Sequence, residues 1–269
     1  MSYWKSDDKQ EIKIKEMRKR VIKDYICVDL ETTGLQAKTE KIIEIGAIKV
    51  RDFKVVDTFV SFIYPGKELS PRIIEITKIT DEMLKGAPTI NEVIREFHSF
   101  CEDLDVLGHN ILFDYSFLKH AMVNEKLAFE KKGIDTLKIA RKYLPDLESR
   151  SLSYLTKHFQ IEHSKAHRAL QDAQATSDLY IRLCEEYYDI SVANKDNVFE
   201  PKPLTYNAKK QQMITNAQKE QIKRLCETYK FTLDRDIALM SRAEATRWVE
   251  NALKNAYKLG LSKPKNLKK

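Results

Sequence analysis

Residues 28–35 read VDLETTGL and follow the apolar triplet Tyr25-Ile26-Cys27. A strand-like run therefore carries two carboxylates, Asp29 and Glu31, near its end. Residues i and i+2 of a strand point to the same face, so both side chains converge on one spot. Burying two like charges together is costly unless something compensates them. They are either solvated at an exposed strand end or neutralised by a cation, and hard divalent metals take carboxylate oxygens. Two further carboxylates sit in suggestive places. Asp114 interrupts the apolar GHNILFDYSFL between Phe113 and Phe117, and Asp172 lies near the start of the helical AHRALQDAQATSDLY. His167 precedes Asp172 by five residues, a rotation of about 140° on a helix. The two cannot share one helix face, which places His167 on the loop or first turn leading in.

The elements that must position these groups follow from the pattern. A first strand spans about 24–31. KIIEIGAIKV (41–50) and KVVDTFVSFIY (54–64) are β-rich runs joined by a tight turn near Arg51-Asp52, giving an antiparallel meander that Pro65-Gly66 ends. Thr89 and Glu92 form a capping box ahead of a helix. DVLGHN is a short strand, with Asn110 as a plausible N-cap for ILFDYSFLKHAMVNEK. GIDTLKIARKYL gives another short strand and a helix that Pro145 breaks, and SLSYLTKHF and HRALQDAQATSDLYIRLCEEYY are amphipathic helices. A meander followed by strand–helix alternation predicts a mixed α/β sheet flanked by helices. The polar 189–212, with Pro201 and Pro203, reads as a linker. Beyond it, Thr215/Gln218 and Ser241/Glu244 fit capping boxes of a small helical module, 213–258, ahead of a basic tail, 259–269. Residues 1–22 read as a basic N-terminal extension, with a short charged helix expected over 11–23.

The charge is unevenly spread. Residues 201–269 hold 16 Lys+Arg against 6 Asp+Glu, residues 1–25 hold 8 against 5, and residues 26–200 hold 23 against 29. Basic ends on a slightly acidic body suit a polyanionic partner, or merely keep the chain soluble. No stretch approaches the roughly 20 apolar residues of a membrane span, and the charged start has no signal-peptide core. A cytoplasmic protein is expected. Cys27, Cys101, Cys184 and Cys226 lie far apart in apolar contexts without a CxxC, and read as buried free thiols.

VDLETTGL, GHNILFD and HRALQD together resemble the DEDDh (DnaQ-like) exonuclease family. Its members include the epsilon proofreading subunit and the PolC-type exonuclease domain of bacterial DNA polymerase III. The family pattern is D-x-E in the first strand, an Asp on a middle helix, then H-x-A-x-x-D. Asp29, Glu31, Asp114, His167 and Asp172 fill all five positions, and ITKITDEMLKGAP (76–88) resembles a further family segment. The resemblance covers about 24–188, within an expected exonuclease domain at 23–188.

The resemblance implies an RNase H-like fold with a five-stranded mixed sheet. It implies 3′→5′ hydrolysis of phosphodiester bonds that releases nucleoside 5′-monophosphates, with two Mg²⁺ (or Mn²⁺) held by the four carboxylates. Asp29 would bridge the metals, Glu31 and Asp172 would complete one sphere, and Asp114 would act largely through water. His167 would be the base, since an imidazole with an ordinary pKa near ~6.5 suits proton transfer at neutral pH. His163, four residues earlier, competes for that role, but only His167 matches the motif spacing. The resemblance further implies that Thr32, Thr33 and Gly34 meet the 3′-terminal nucleotide and that Leu35 wedges against a base. His109, Asn110 and Phe113 are candidate substrate contacts, although His109 is read first as a support for its strand–helix corner and Phe113 could equally be core.

The expected substrate is a single-stranded or frayed 3′ end, with DNA favoured over RNA. Oligoribonuclease relatives resemble D-L-E-M-T-G-L where this chain has Thr32. A DNA polymerase or another replication or repair protein is a candidate partner, and no membrane is expected. The competing readings are an exoribonuclease with the same mechanism and a catalytically silent binding or tethering subunit. The basic helices of 213–258 are expected to hold nucleic acid or a protein partner near the site.

Overall fold

The computed structural model describes residues 21–163 and 167–261. The extension at 1–20, most of the helix expected over 11–23, and the tail from 262 lie outside the described residues. Three strands open the chain: β1 (Tyr25–Thr32), β2 (Ile42–Arg51) and β3 (Lys54–Phe62). They form the antiparallel meander, with Asp52 and Phe53 making its turn at φ 47° and 60°. Positive φ at both positions matches the right-handed twist of a hairpin. Short helices α1 (Pro71–Thr77) and α2 (Asp81–Leu84) lead to α3 (Ile90–Cys101), whose N-terminus carries the Thr89–Glu92 capping box. Then come β4 (Val106–Gly108), α4 (Ile111–Asn124), β5 (Lys132–Asp135), α5 (Thr136–Tyr143), α6 (Leu152–His158) and the long α7 (Ala169–Ala193).

The sheet has six strands in the order β3-β2-β1-β4-β5-β6, where the sequence predicts five. The sixth, β6 (Lys202–Pro203), pairs antiparallel with β5 inside the expected linker. Leu204 packs over Gly133, where a Cβ would sit 2.7 Å from its Cδ1. The segment 189–212 is thus pinned to the sheet edge, and its first residues, to Ala193, continue α7. The last region holds α8 (Asn216–Tyr229) and α9 (Arg242–Lys258), each begun by its expected capping box, with a 3₁₀ turn at Ile237–Leu239 between them.

Alternation along β1 divides the core in two. Ile26, Val28 and Leu30 face α3 and α4 with Phe97, Tyr115 and Leu118. Tyr25 and Cys27 face α5 and α7 with Ile139, Leu179 and Leu183. The terminal helices share a separate small core around Ile222, Leu225, Ala245 and Val249. Cys27, Cys101 and Cys184 are buried thiols, whereas Cys226 is only half-buried.

β1 and β4 run parallel, yet β1 leads outward to β2 and β3 before the chain returns to β4. A crevice at the strands' carboxyl ends is expected at such a switch point. β4 pairs only with Ile26 and Cys27, which leaves the edge of β1 beyond them open at Leu30.

Candidate active site

Asp29 and Glu31 project from the same face of β1, directly opposite Gly46 and Glu44 of β2. Gly46 explains how a helix reaches them. A Cβ built there would lie 2.1 Å from the carbonyl carbon of Ala169 and from the nitrogen of Leu170. Only a residue without a side chain lets the first turn of α7 rest on the strand. Glu44, 1% exposed, fastens that turn: it accepts from the Arg168 Nη2 (2.9 Å) and from the Ala169 backbone N–H (3.2 Å). Asp172, one turn further on, is thereby brought to the carboxylates of β1.

Asp114 arrives from the opposite side. It lies in the first turn of α4 and accepts the Leu30 N–H at 3.1 Å, on the open edge of β1. Asn110 precedes α4 at φ 72°, and its side chain makes no cap bond. The expected capping bond is therefore absent. Instead Asp135, at the end of β5, accepts the Asn110 N–H (2.9 Å) and the Leu137 N–H (3.0 Å), so one buried carboxylate sets the starts of both α4 and α5.

Both oxygens of Asp172 are engaged. Its Oδ2 accepts the backbone N–H of His167 at 3.0 Å, and its Oδ1 lies 2.5 Å from Nε2 of His163. His167 stands outside α7 with an exposed side chain at φ 66°, as the rotation argument requires. One ring nitrogen of His167, one oxygen of Glu31 and one of Asp172 all lie within 4.8 Å of one another. His163, which motif spacing disfavours, is thus the imidazole bonded to Asp172, while His167 faces the opening. A histidine four residues from the motif position is the only sequence signal for that contact.

The remaining candidates separate into two sets. The Thr32 hydroxyl bonds to the Gly34 carbonyl (2.8 Å), and the Thr33 hydroxyl bonds to the Glu40 carboxylate (2.6 Å). Leu35 is 85% exposed at the tip of this turn, free to meet a ligand. Gly34 has a negative φ, and the space above its Cα holds the Glu40 side chain, 2.8 Å from where a Cβ would sit. Its lack of a side chain therefore serves the turn itself. His109 is removed from the substrate set: its Nδ1 bonds to the Thr136 hydroxyl (2.9 Å) and its Nε2 to the Arg150 carbonyl (2.8 Å). Both ring nitrogens are used at the strand–helix corner. Phe113 is half-buried against the core, 5.1 Å from Phe117, and Asn110 is exposed.

The electrostatics of the site are those of crowded, desolvated carboxylates. Burial, then Asp114, Asp172 and Glu31, raise Asp29 well above the carboxylate range. Burial, then Asp172, Glu44 and Asp114, push Glu31 up to about 8. Burial raises Asp114 against the pull of its backbone bonds, and raises Asp172 against the pull of His163. Among the described residues, no Lys or Arg forms an ion pair with Asp29, Glu31 or Asp114. Four hard oxygen donors that cannot all ionise together without a compensating charge fit divalent cations.

The family model described as Exonuclease (RNase_T) matches residues 26–180. Curated relatives named DNA polymerase III PolC-type include that of Halalkalibacterium halodurans, 39% identical over 176 residues, which cover 65% of this chain and 12% of that protein. That of Caldanaerobacter subterraneus is 35% identical over 175 residues, with the same two shares. The chain spans only about 12% of the length of these relatives. Among solved structures, E. coli exonuclease I in complex with a dT13 oligonucleotide gives a TM-score of 0.57 at 20% identity, covering 65% of this chain and 44% of that one. A 3′-exonuclease solved with a histone mRNA stem-loop gives 0.52 at 18%, covering 68% and 72%. At these identities the likeness is one of fold, and the fold is RNase H-like. No described helix is long and apolar enough to cross a membrane.

Proposed function

This chain belongs to the exonuclease family whose model spans its residues 26–180, and we propose that it is a two-metal 3′→5′ exonuclease acting on single-stranded or frayed DNA ends in the cytoplasm. The observation that carries this reading is the convergence of Asp29, Glu31, Asp114 and Asp172 from β1, α4 and α7 on one desolvated spot. The names of its PolC-type relatives favour DNA over RNA and make a DNA polymerase its candidate partner.

The four carboxylates would hold the metals. Bound divalent ions lower the pKa of water and stabilise charge on the attacking and leaving oxygens. The chain supplies the rest. Leu30 N–H and the Glu44–Arg168 clamp hold the carboxylates in register without closing the opening. His167, beside Glu31 and Asp172 yet exposed, takes the proton from the attacking water. His163 holds the Asp172 carboxylate in orientation. The turn at Thr32–Leu35 receives the terminal nucleotide, with the two threonine hydroxyls already committed to shaping it.

The test is one degradation assay. End-labelled single- and double-stranded DNA and RNA are incubated with Mg²⁺, Mn²⁺ or EDTA, beside Asp29→Ala. The expected result is stepwise shortening from the 3′ end of single-stranded DNA, abolished by EDTA and by Asp29→Ala. Activity that survives both would remove the two-metal reading, and faster loss of RNA would exchange the substrate.

A further inference from the structure

We propose that the cleft between the exonuclease domain and the C-terminal helices binds the phosphodiester backbone of a single-stranded nucleic acid, as the track along which a strand reaches the carboxylate site. The proposal rests on the exonuclease reading above and adds to it a second, separate contact surface.

The cleft has a volume of about 560 Å³ and is walled by the β1–β2 loop, the middle of α4, the segment 206–212 and the first turns of α9. Five cationic side chains line it: Lys38, Lys209, Lys210, Arg242 and Arg247. No carboxylate does. Among the described residues none of the five is ion-paired, and the Arg242 guanidinium bonds to the neutral Gln212 side chain (2.8 Å). The adjoining cavity of about 580 Å³ provides the contrast. It shares Arg247 with the first cleft, but three carboxylates, Glu40, Asp234 and Glu244, line it too, and Lys67 pairs with Glu40 and Arg235 with Asp234. Charge is left uncompensated in one cleft and balanced in its neighbour, so the first is the one suited to a polyanion.

A second observation comes from the interior of the same cleft. His120 lines it at 7% exposure, and its Nδ1 has no hydrogen-bond partner among the described residues. A buried polar atom without a partner is uncommon, and a ligand group or water held at this wall would satisfy it. Tyr206, half-buried in the same wall, places its ring 6.0 Å from that of His120. Unpaired cations beside an aromatic face are the pairing that holds single strands, backbone to charge and base to ring.

The cleft is also a built surface. Gln211 is fixed on both sides, its N–H to Asn124 Oδ1 (2.8 Å) and its Nε2 to the Lys38 carbonyl (2.9 Å), and the Arg242 N–H bonds to the Gln212 carbonyl (2.7 Å). The loop that carries Lys38 continues into Glu40, whose carboxylate holds Thr33. One hydrogen-bonded unit therefore links the cleft wall to the turn beside the carboxylates.

Equilibrium binding of short and long labelled oligothymidylates across a salt series tests this, using the full chain carrying Asp29→Ala. Replacing Lys38, Lys209, Lys210, Arg242 and Arg247 with Ala is expected to weaken binding of the long strand tenfold or more. The salt slope should fall by about 0.7 per lost phosphate contact, roughly 3.5 if all five contacts are lost. Lys209→Glu with Lys210→Glu, both exposed and safe for folding, should give the same direction, and Tyr206→Ala should weaken binding several-fold without changing the slope. In the chain with Asp29 intact, the loss in turnover should grow with strand length and vanish on a dinucleotide. An unchanged slope, or an effect equalled by removing the exposed Lys54 and Lys85 outside the cleft, overturns the proposal. Polyglutamate competing as well as DNA would give the cleft to an acidic protein segment and overturn it too. If the dinucleotide is cleaved but the slope is unmoved, only the cleft fails; if no nucleic acid is cleaved at all, it is the exonuclease reading that fails.

Discussion

The carboxylate end of the sheet and the C-terminal helices are assembled by opposite means. At the first, two large apolar clusters on either face of β1 force Asp29, Glu31, Asp114 and Asp172 together with little to offset their repulsion. At the second, a core of a few residues supports many cations. Polar contacts such as Lys41–Glu244 and the Asp236 N–H to Gly66 carbonyl bond join it to the body. The first region is rigid because packing dictates where charge goes. The second tolerates change because its charges lie at the surface. Substitutions should therefore be severe in one and mild in the other, and each outcome below is a way to break or refine that contrast.

The largest effect is expected at Asp29. Asp29→Asn should lower turnover about a thousandfold or more, since metal neutralisation of the reacting oxygens contributes several kcal/mol. The same change should raise the melting temperature of the metal-free chain, because it removes a buried charge from a repulsive cluster. Glu31 fixes the pH dependence. Its folded-state pKa is raised from the ordinary 4.5 to about 8, so the folded chain keeps a proton that the unfolded chain releases. Stability from this group is full below about 4.5 and is lost as pH rises toward about 8. Melting curves in EDTA should fall across that window, and Mg²⁺ or Glu31→Gln should flatten them. A flat curve in EDTA would mean that the two regions are not built differently.

Next come the two histidines. His167→Ala should lower turnover about a hundredfold or more, the usual contribution of a general base. His163→Ala should cost less in turnover and lower the affinity for metal, because His163 orients Asp172 without touching the reacting water. A dead His163 variant beside an active His167 variant would exchange the two roles.

Much of this site was legible in the sequence because strand and helix periodicities are local rules. Asp29 and Glu31 share a face since they are two apart, and His167 stands off α7 because five residues turn a helix too far. The capping boxes at Thr89, Thr215 and Ser241 declared their helices in the same way. What escaped depended on contacts distant in the chain. Lys202 and Pro203 form a strand only because β5 offers an edge, and a proline there reads as linker. His109 reads first as a corner support, but its two partners, Thr136 and Arg150, lie too far along the chain to be named in advance. Asp135 controls two helix starts from a position that reads as the end of a short strand. Gly46 carried a usable signal, a glycine inside IIEIGAIKV, since a glycine within a strand often marks the close approach of another backbone.

Gly46→Ala should therefore be the most damaging single methyl in the protein. The added carbon collides with backbone, which cannot swing aside as a side chain can. Overpacking of this kind costs about 1–3 kcal/mol, and lifting the first turn of α7 would also move Asp172. Chemical denaturation should show the loss of stability, and metal affinity should fall with it.

The smallest effect is expected where the two regions meet. Lys41 and Glu244 pair at 3.3 Å with side chains 23% and 12% exposed, across the junction between β2 and α9. Partly shielded pairs of this kind contribute up to about 1 kcal/mol, and the backbone bonds at Gly66 and Glu68 hold the junction independently of them. Lys41→Met keeps the aliphatic stem and removes only the charge. It should shift the denaturation midpoint by less than about 1 kcal/mol in stability and leave dinucleotide hydrolysis unchanged, while making the junction easier to cleave by limited proteolysis. Glu244 is the worse choice for this test because its carboxylate also accepts the Ser241 N–H in the capping box of α9 (2.7 Å). If Lys41→Met cost as much as Gly46→Ala, charge rather than backbone would be holding the helices to the body, and the contrast between the two regions would collapse.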